Sequence, residues 1–197
     1  MKKMKNLLLV LLCIISSTAV AQTPVKEVEA TVKEGNVVSL RIPQEVAATN
    51  IKLVDLNKNE LYSKKISGVD FKKNFSFEVV PQGDYLFTIE SDTKVVEVKL
   101  QKKEEVVIVV GQKNIFKPNL RALEKNDQLV RLTFKNPNPG RANVKVYDKF
   151  GNLIIKLSND QTFFNKVFDF SEAPAGEYSI AISTVENEFL KKVMINK

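Results

Sequence analysis

The chain has 197 residues, with 30 Lys and Arg against 23 Asp and Glu, no histidine, no tryptophan and one cysteine. The net charge of +7 is carried by lysines that alternate with glutamates, as in Lys102-Lys103-Glu104-Glu105, which is a solvated surface and not the clustered footprint that nucleic acid requires. The missing histidine removes the commonest general base, the usual metal ligand and the Ser-His and Cys-His nucleophile systems, so no catalytic residue, metal ligand or cofactor is expected.

The chain opens with Met1-Lys2-Lys3-Met4-Lys5, an apolar run from Leu7 to Ile15 and then Ala19-Val20-Ala21. A basic start, a short apolar stretch and a small-x-small site read as a cleaved secretory signal peptide over residues 1–21. The apolar run falls short of the roughly 20 residues of a spanning helix. Later runs are shorter still, the longest being Val106 to Val110, so no membrane span is expected. Cys13 lies inside the apolar run, and Leu11-Leu12 precede it where lipidation favours small residues. Cleavage after Ala21 would remove Lys2, Lys3 and Lys5, taking the charge from +7 to +4, and would leave no cysteine. The expectation is an exported, disulfide-free protein of the periplasm, cell surface or medium, held together by apolar burial.

From there the pattern is alternation at period two, with no helical stripe. Strands are predicted at Glu27 to Val32, Val37 to Ile42, Ile51 to Asp55, Leu61 to Ile66, Asn74 to Val79, Asp84 to Glu90 and Val95 to Leu100. A second series follows at Leu120 to Glu124, Leu129 to Phe134, Val144 to Asp148, Leu153 to Leu157, Lys166 to Phe170, Glu177 to Ser183 and Glu188 to Ile195. Short strands about ten residues apart with polar turns are the pattern of a β-sandwich. Residues 51–100 overlay residues 144–193 at a constant offset of 93 without a gap, and 12 of the 50 pairs are identical. The matches are mostly core and turn residues, and include Asp55 with Asp148, Phe71 with Phe164, Phe75 and Phe77 with Phe168 and Phe170, Pro81 with Pro174, Gly83 with Gly176, Tyr85 with Tyr178 and Ile89 with Ile182. The fold class is therefore all-β, two tandem immunoglobulin-like (fibronectin III-like) sandwiches over residues 22–103 and 104–197 after the cleaved signal peptide.

Three local patterns refine that picture. Pro81-Gln82-Gly83-Asp84-Tyr85 recurs as Pro174-Ala175-Gly176-Glu177-Tyr178: proline fixes φ, glycine permits positive φ, and the tyrosine enters a strand with its ring buried and its hydroxyl on nearby backbone. Asp55-Leu56-Asn57-Lys58-Asn59-Glu60 places oxygens at positions 1, 3 and 5 like a calcium loop, but Glu60 and Ile66 occupy the places of the required glycine and bidentate glutamate. Its counterpart, Asp148-Lys149-Phe150-Gly151-Asn152, loses the middle oxygen, so both read as hairpin turns. Between the copies, Val106-Val107-Ile108-Val109-Val110 is too β-prone to be a free linker and is expected to be paired with one domain or the other, making the junction rigid.

Val144 to Asn152, Phe168 to Tyr178 and Leu190-Lys191-Lys192-Val193-Met194-Ile195 together resemble the C-terminal sorting domains of type IX secretion cargo. These are immunoglobulin-like sandwiches with a D-x-x-G hairpin, a P-x-G-x-Y strand entry and a Lys-Lys-hydrophobic end. The resemblance covers the last 55 or so residues and, through the repeat, Ile51 to Leu100 more loosely. It departs from that family in lacking glycine around Glu186-Asn187 and in having another copy, not an enzyme, in front. The expected function is a non-catalytic envelope or cell-surface binding or structural module, whose partner is a protein or an envelope polysaccharide. No ligand-binding residue is assigned. Two alternatives stand beside it: the second domain as a sorting signal delivering the first, and a periplasmic chaperone-like binder of client strands using Val106 to Val110.

Overall fold

The computed structural model describes residues 27–34, 36–44, 49–123, 126–136 and 140–196; the expected signal peptide and Cys13 lie outside them. The described residues form fifteen strands and no helix. The first seven are β1 (Glu29–Val32), β2 (Val37–Ile42), β3 (Thr49–Asp55), β4 (Glu60–Ile66), β5 (Phe71–Ser76), β6 (Gly83–Glu90) and β7 (Lys94–Lys103). β8 (Val106–Phe116) stands between the repeats. β9 (Asn119–Leu123), β10 (Asn126–Lys135), β11 (Ala142–Tyr147), β12 (Leu153–Asn159), β13 (Phe163–Asp169), β14 (Gly176–Ser183) and β15 (Glu188–Ile195) complete the chain.

They make two sandwiches of the same plan. In the first, a three-stranded sheet β1-β2-β5 faces a five-stranded sheet β4-β3-β6-β7-β8; in the second, β13-β10-β9 faces β12-β11-β14-β15. Every pairing is antiparallel. Period-two alternation produces this directly. In β6 the inward Tyr85, Phe87 and Ile89 are buried while Asp84 and Glu90 face water, and in β14 Tyr178, Ile180 and Ile182 do the same. Each sandwich has its own core: Val38, Leu40 and Ile42 meet Ile51, Phe75 and Phe87 in the first, and Val130, Leu132 and Val144 meet Phe164, Phe168 and Ile180 in the second.

The sequence offset survives as geometry. β4 and β12, and likewise β6 and β14, begin and end 93 residues apart. Even the irregularity in strand pairing recurs, between Leu53 and Val54 in the first copy and between Val146 and Tyr147 in the second.

Val106–Phe116 is paired, as its composition requires, and its partner is the first sandwich. β8 runs antiparallel to the whole of β7, from Lys103 opposite Val106 to Lys94 opposite Phe116, around a tight turn in which Glu104 takes φ 50°. Val107 is fully buried in the first core and Val109 packs against it. The first sandwich therefore extends past the expected boundary at Lys103 to Phe116, because a local hairpin satisfies this run before the second repeat begins.

A second difference concerns β5, which spans Phe71–Ser76 where the sequence pattern suggested Asn74 to Val79. Phe71 pairs opposite Ile42 and extends the strand backwards. At its other end the chain leaves the sheet, and the carbonyls of Phe77, Glu78 and Val80 accept hydrogen bonds from Lys102 Nζ at 2.5, 3.0 and 2.8 Å. Lys102 is 6% exposed, and those three carbonyls satisfy all the donors of its ammonium group. In the second copy the equivalent position holds Ile195, buried at 1%. One repeat closes this end with a cation and the other with a hydrocarbon.

Lys102→Met, which removes the donor and shortens the unbranched side chain by one atom, should lower unfolding free energy by about 2 kcal/mol. Ile195→Met at the matching position should cost less than about 1.5 kcal/mol. Urea denaturation of the two variants measures the difference.

Candidate interaction site

The repeated turns are self-contained. Asp55 accepts from Asn59 twice, Oδ1 from the backbone N–H and Oδ2 from the side-chain amide, both at 2.8 Å. Asp148 does the same with Asn152 at 2.8 and 2.9 Å and also accepts from the N–H of Phe150. Hydrogen bonding from Asn59 and Asn152 holds the two carboxyls below their ordinary value, outweighing burial, which acts the other way. Positive φ falls at Lys58 (65°) in one turn and at Gly151 (83°) in the other. Both carboxylate oxygens of each aspartate are thus engaged in holding a hairpin turn. Among the described residues, no three His, Cys, Asp or Glu side chains come together at metal-binding distance.

The tyrosines are likewise built into the fold. Tyr85 and Tyr178 are 5% and 4% exposed and donate their hydroxyls to the carbonyls of Pro81 and Pro174, at 2.6 and 2.7 Å. Burial pushes the Tyr85 hydroxyl above its usual value. Gly83 and Gly176, with φ 147° and 150°, turn the chain into each strand. Phe77 packs edge-on against Tyr85 at 5.2 Å, and Phe170 lies tilted against Tyr178 at 4.9 Å.

The two sandwiches differ at one side. In the first, β8 lies over the gap between the sheets, and the Gln112 side-chain amide donates to the Val28 carbonyl at 3.3 Å. The inward residues of β7, namely Val96, Val98, Leu100 and Lys102, are consequently all buried. In the second, β15 is the last strand of its sheet, and no described strand pairs with its outer edge. The matching inward residues Phe189, Lys191 and Val193 are only half-buried, and on the outward face Leu190 and Met194 are 62% and 57% exposed. This uncovered edge was not read from the sequence. The signal for it in the sequence was a lysine at 191 where the first repeat has Val98.

The sandwiches also touch where β8 ends. Lys113 pairs with Glu186 at 2.8 Å, and Phe116 is flanked by the ammonium groups of Lys94 from the first sandwich and Lys135 from the second, at 5.4 and 4.9 Å. Lys117 donates to Glu90 and to the Ser91 carbonyl, fixing the chain as it leaves the first sheet.

The described fold is all-β, with two tandem sandwiches of fibronectin III-like strand order. Residues 126–196, from β10 to the end of β15, match the family described as the secretion system C-terminal sorting domain, so the second sandwich resembles that domain and the first lies outside the match. No curated protein matches the chain. Among solved structures, a biofilm-associated protein BSP domain aligns at 15% identity and TM-score 0.31 over 87% of this chain and 29% of that one. A two-domain fibronectin type III segment of chicken tenascin aligns at 11% identity and TM-score 0.33, over 86% of this chain and 98% of that one. The ligand-binding domain of human OSCAR aligns at 16% identity and TM-score 0.28, over 86% and 97%.

Because the folded-state values of Asp55 and Asp148 lie below the ordinary 3.8, the stability these turns contribute is complete above that value and is lost as the pH falls through the lower, folded-state one. A variant combining Asp55→Asn and Asp148→Asn should melt lower at neutral pH and lose less on acidification between about pH 4 and pH 2. Thermal melts across that range check it.

Proposed function

We propose that the second sandwich is an export address and that the first is its non-catalytic passenger, a binding or structural module delivered to the cell envelope or surface. The observation that carries this reading is the match of residues 126–196 to a secretion sorting domain, which takes in nearly the whole second sandwich and none of the first. The architecture supports the division of labour. Each sandwich has a separate core, so an address can be recognised without unfolding its passenger.

A second reading, in which both copies are permanent structural modules, is favoured by the shared turns and tyrosine corners and by the Lys113–Glu186 and Phe116 contacts that join the sandwiches. In a chaperone-like reading the Val106 to Val110 run would receive a client strand at its outer edge, because its inner edge is paired with β7 of its own chain.

Expression of the full chain and of a form ending at Lys117 in the native cells tests the assignment. The full chain should reach the surface or the medium, and the shortened form should accumulate in the periplasm, with delivery falling by an order of magnitude or more, about the scale expected when a recognition element is removed outright. Equal delivery of both forms would overturn the reading in favour of two structural modules.

A further inference from the structure

We propose that the outer edge of β15 receives an antiparallel strand from a partner protein, one that presents a carboxylate opposite Lys191 between apolar residues. The inference goes beyond the export reading and stands on the fold alone.

The internal repeat shows what the position accommodates. On the first sandwich the same edge is occupied along its full length by β8, which sets Val107 opposite Lys102, Val109 opposite Leu100 and Gln112 opposite Val98. Moved to the second copy by the offset of 93, those places face Ile195, Val193 and Lys191. β15 thus offers a row of backbone donors and acceptors on a side where the core stays half-open at Phe189 and Val193.

The substitution of Val98 by Lys191 sets the chemistry of the occupant. Lys192, on the outward face, is engaged by Glu177 at 2.8 Å, whereas the Lys191 side chain forms no hydrogen bond or ion pair with a described residue. An inward lysine on an edge strand discourages pairing with neutral strands. If edge protection were its whole role, its neighbours on the inward face would be polar too; instead they are Phe189 and Val193, while on the outward face Lys192 stands between Leu190 and Met194. A cation set within an apolar edge selects a strand with a matching anion. The same lysine argues against a second copy of this chain. Two β15 strands paired antiparallel in full overlap would set Lys191 of each copy opposite Lys192 of the other, and like charges directly opposite repel.

The test uses the full mature chain and a synthetic peptide of Val106–Phe116 carrying Gln112→Glu, which brings a carboxylate to Lys191 in the β8-like register. Titration should perturb amide NMR signals of β15 and its neighbour β14. Binding should weaken about tenfold in Lys191→Glu and be restored there by the peptide carrying Gln112→Lys. Lys191→Gln serves as a milder variant should the charge reversal compromise folding, with an expected loss of about threefold. Shifts confined to β7 and β8, or affinity indifferent to both substitutions, would overturn the proposal. A concentration-dependent dimer cross-linked from β15 to β15 would also overturn it, by making a second copy the occupant.

Discussion

The pairing of β7 with β8 is the contact on which the arrangement of the chain depends. A seven-stranded sandwich leaves one side where its two sheets part and the last strand shows an unpaired edge. The first sandwich closes that side with its own chain: eleven residues fold back at Glu104-Glu105 and bury Val107 in the core. The same strand then ends at Phe116 between lysines from both sandwiches and hands over to β9 two residues after Lys117. One hairpin therefore completes the first core, orients the exit of the chain and brings Lys113 to Glu186. Remove the pairing and all three are lost together.

Much of this was legible beforehand because period-two alternation and turn chemistry act locally. The offset of 93 predicted two equivalent units, and the structure keeps it to the level of matching irregularities in strand register. The Pro-x-Gly-x-Tyr segments identified the tyrosine corners, since only glycine takes φ near 150° at Gly83 and Gly176 without strain. The resemblance of the last residues to secretion sorting domains rested on the same turn and corner residues, and the family match over residues 126–196 agrees with it. What stayed hidden depends on partners distant in sequence. Alternation says that Val106 to Val110 is a strand but not which edge it joins, so the boundary at Lys103 fell short. Nor does a lysine in a polar-looking segment announce that it is buried, as Lys102 is, because the three carbonyls that receive it lie more than twenty residues earlier.

The two copies show how a repeat diverges without losing its fold. Positions that set the backbone are retained: the aspartate turns, the glycine entries and the buried tyrosines. Positions that close the ends and sides have changed. Lys102 is matched by Ile195, a cation satisfied by carbonyls replaced by simple apolar burial, and Val98 is matched by Lys191, where burial gives way to charge. The first exchange preserves a closed core by different chemistry. The second falls on an edge that no described strand covers, where water or an anion can reach the lysine. Sequence identity between the copies thus concentrates where geometry is obligatory, and difference concentrates where surfaces are made.

The turn at Glu104-Glu105 also sets an order of assembly. A chain that leaves a ribosome or a pore N-terminus first has produced every strand of the first repeat once Lys103 is out, yet its core keeps one flank open until Phe116 has followed. During that interval the apolar edge of β7 faces whatever is nearby. The short hairpin limits the hazard, because the segment that seals the flank is the next to emerge and has only a two-residue turn to make. The first sandwich can therefore be finished before any strand of the second exists to compete for the same edge.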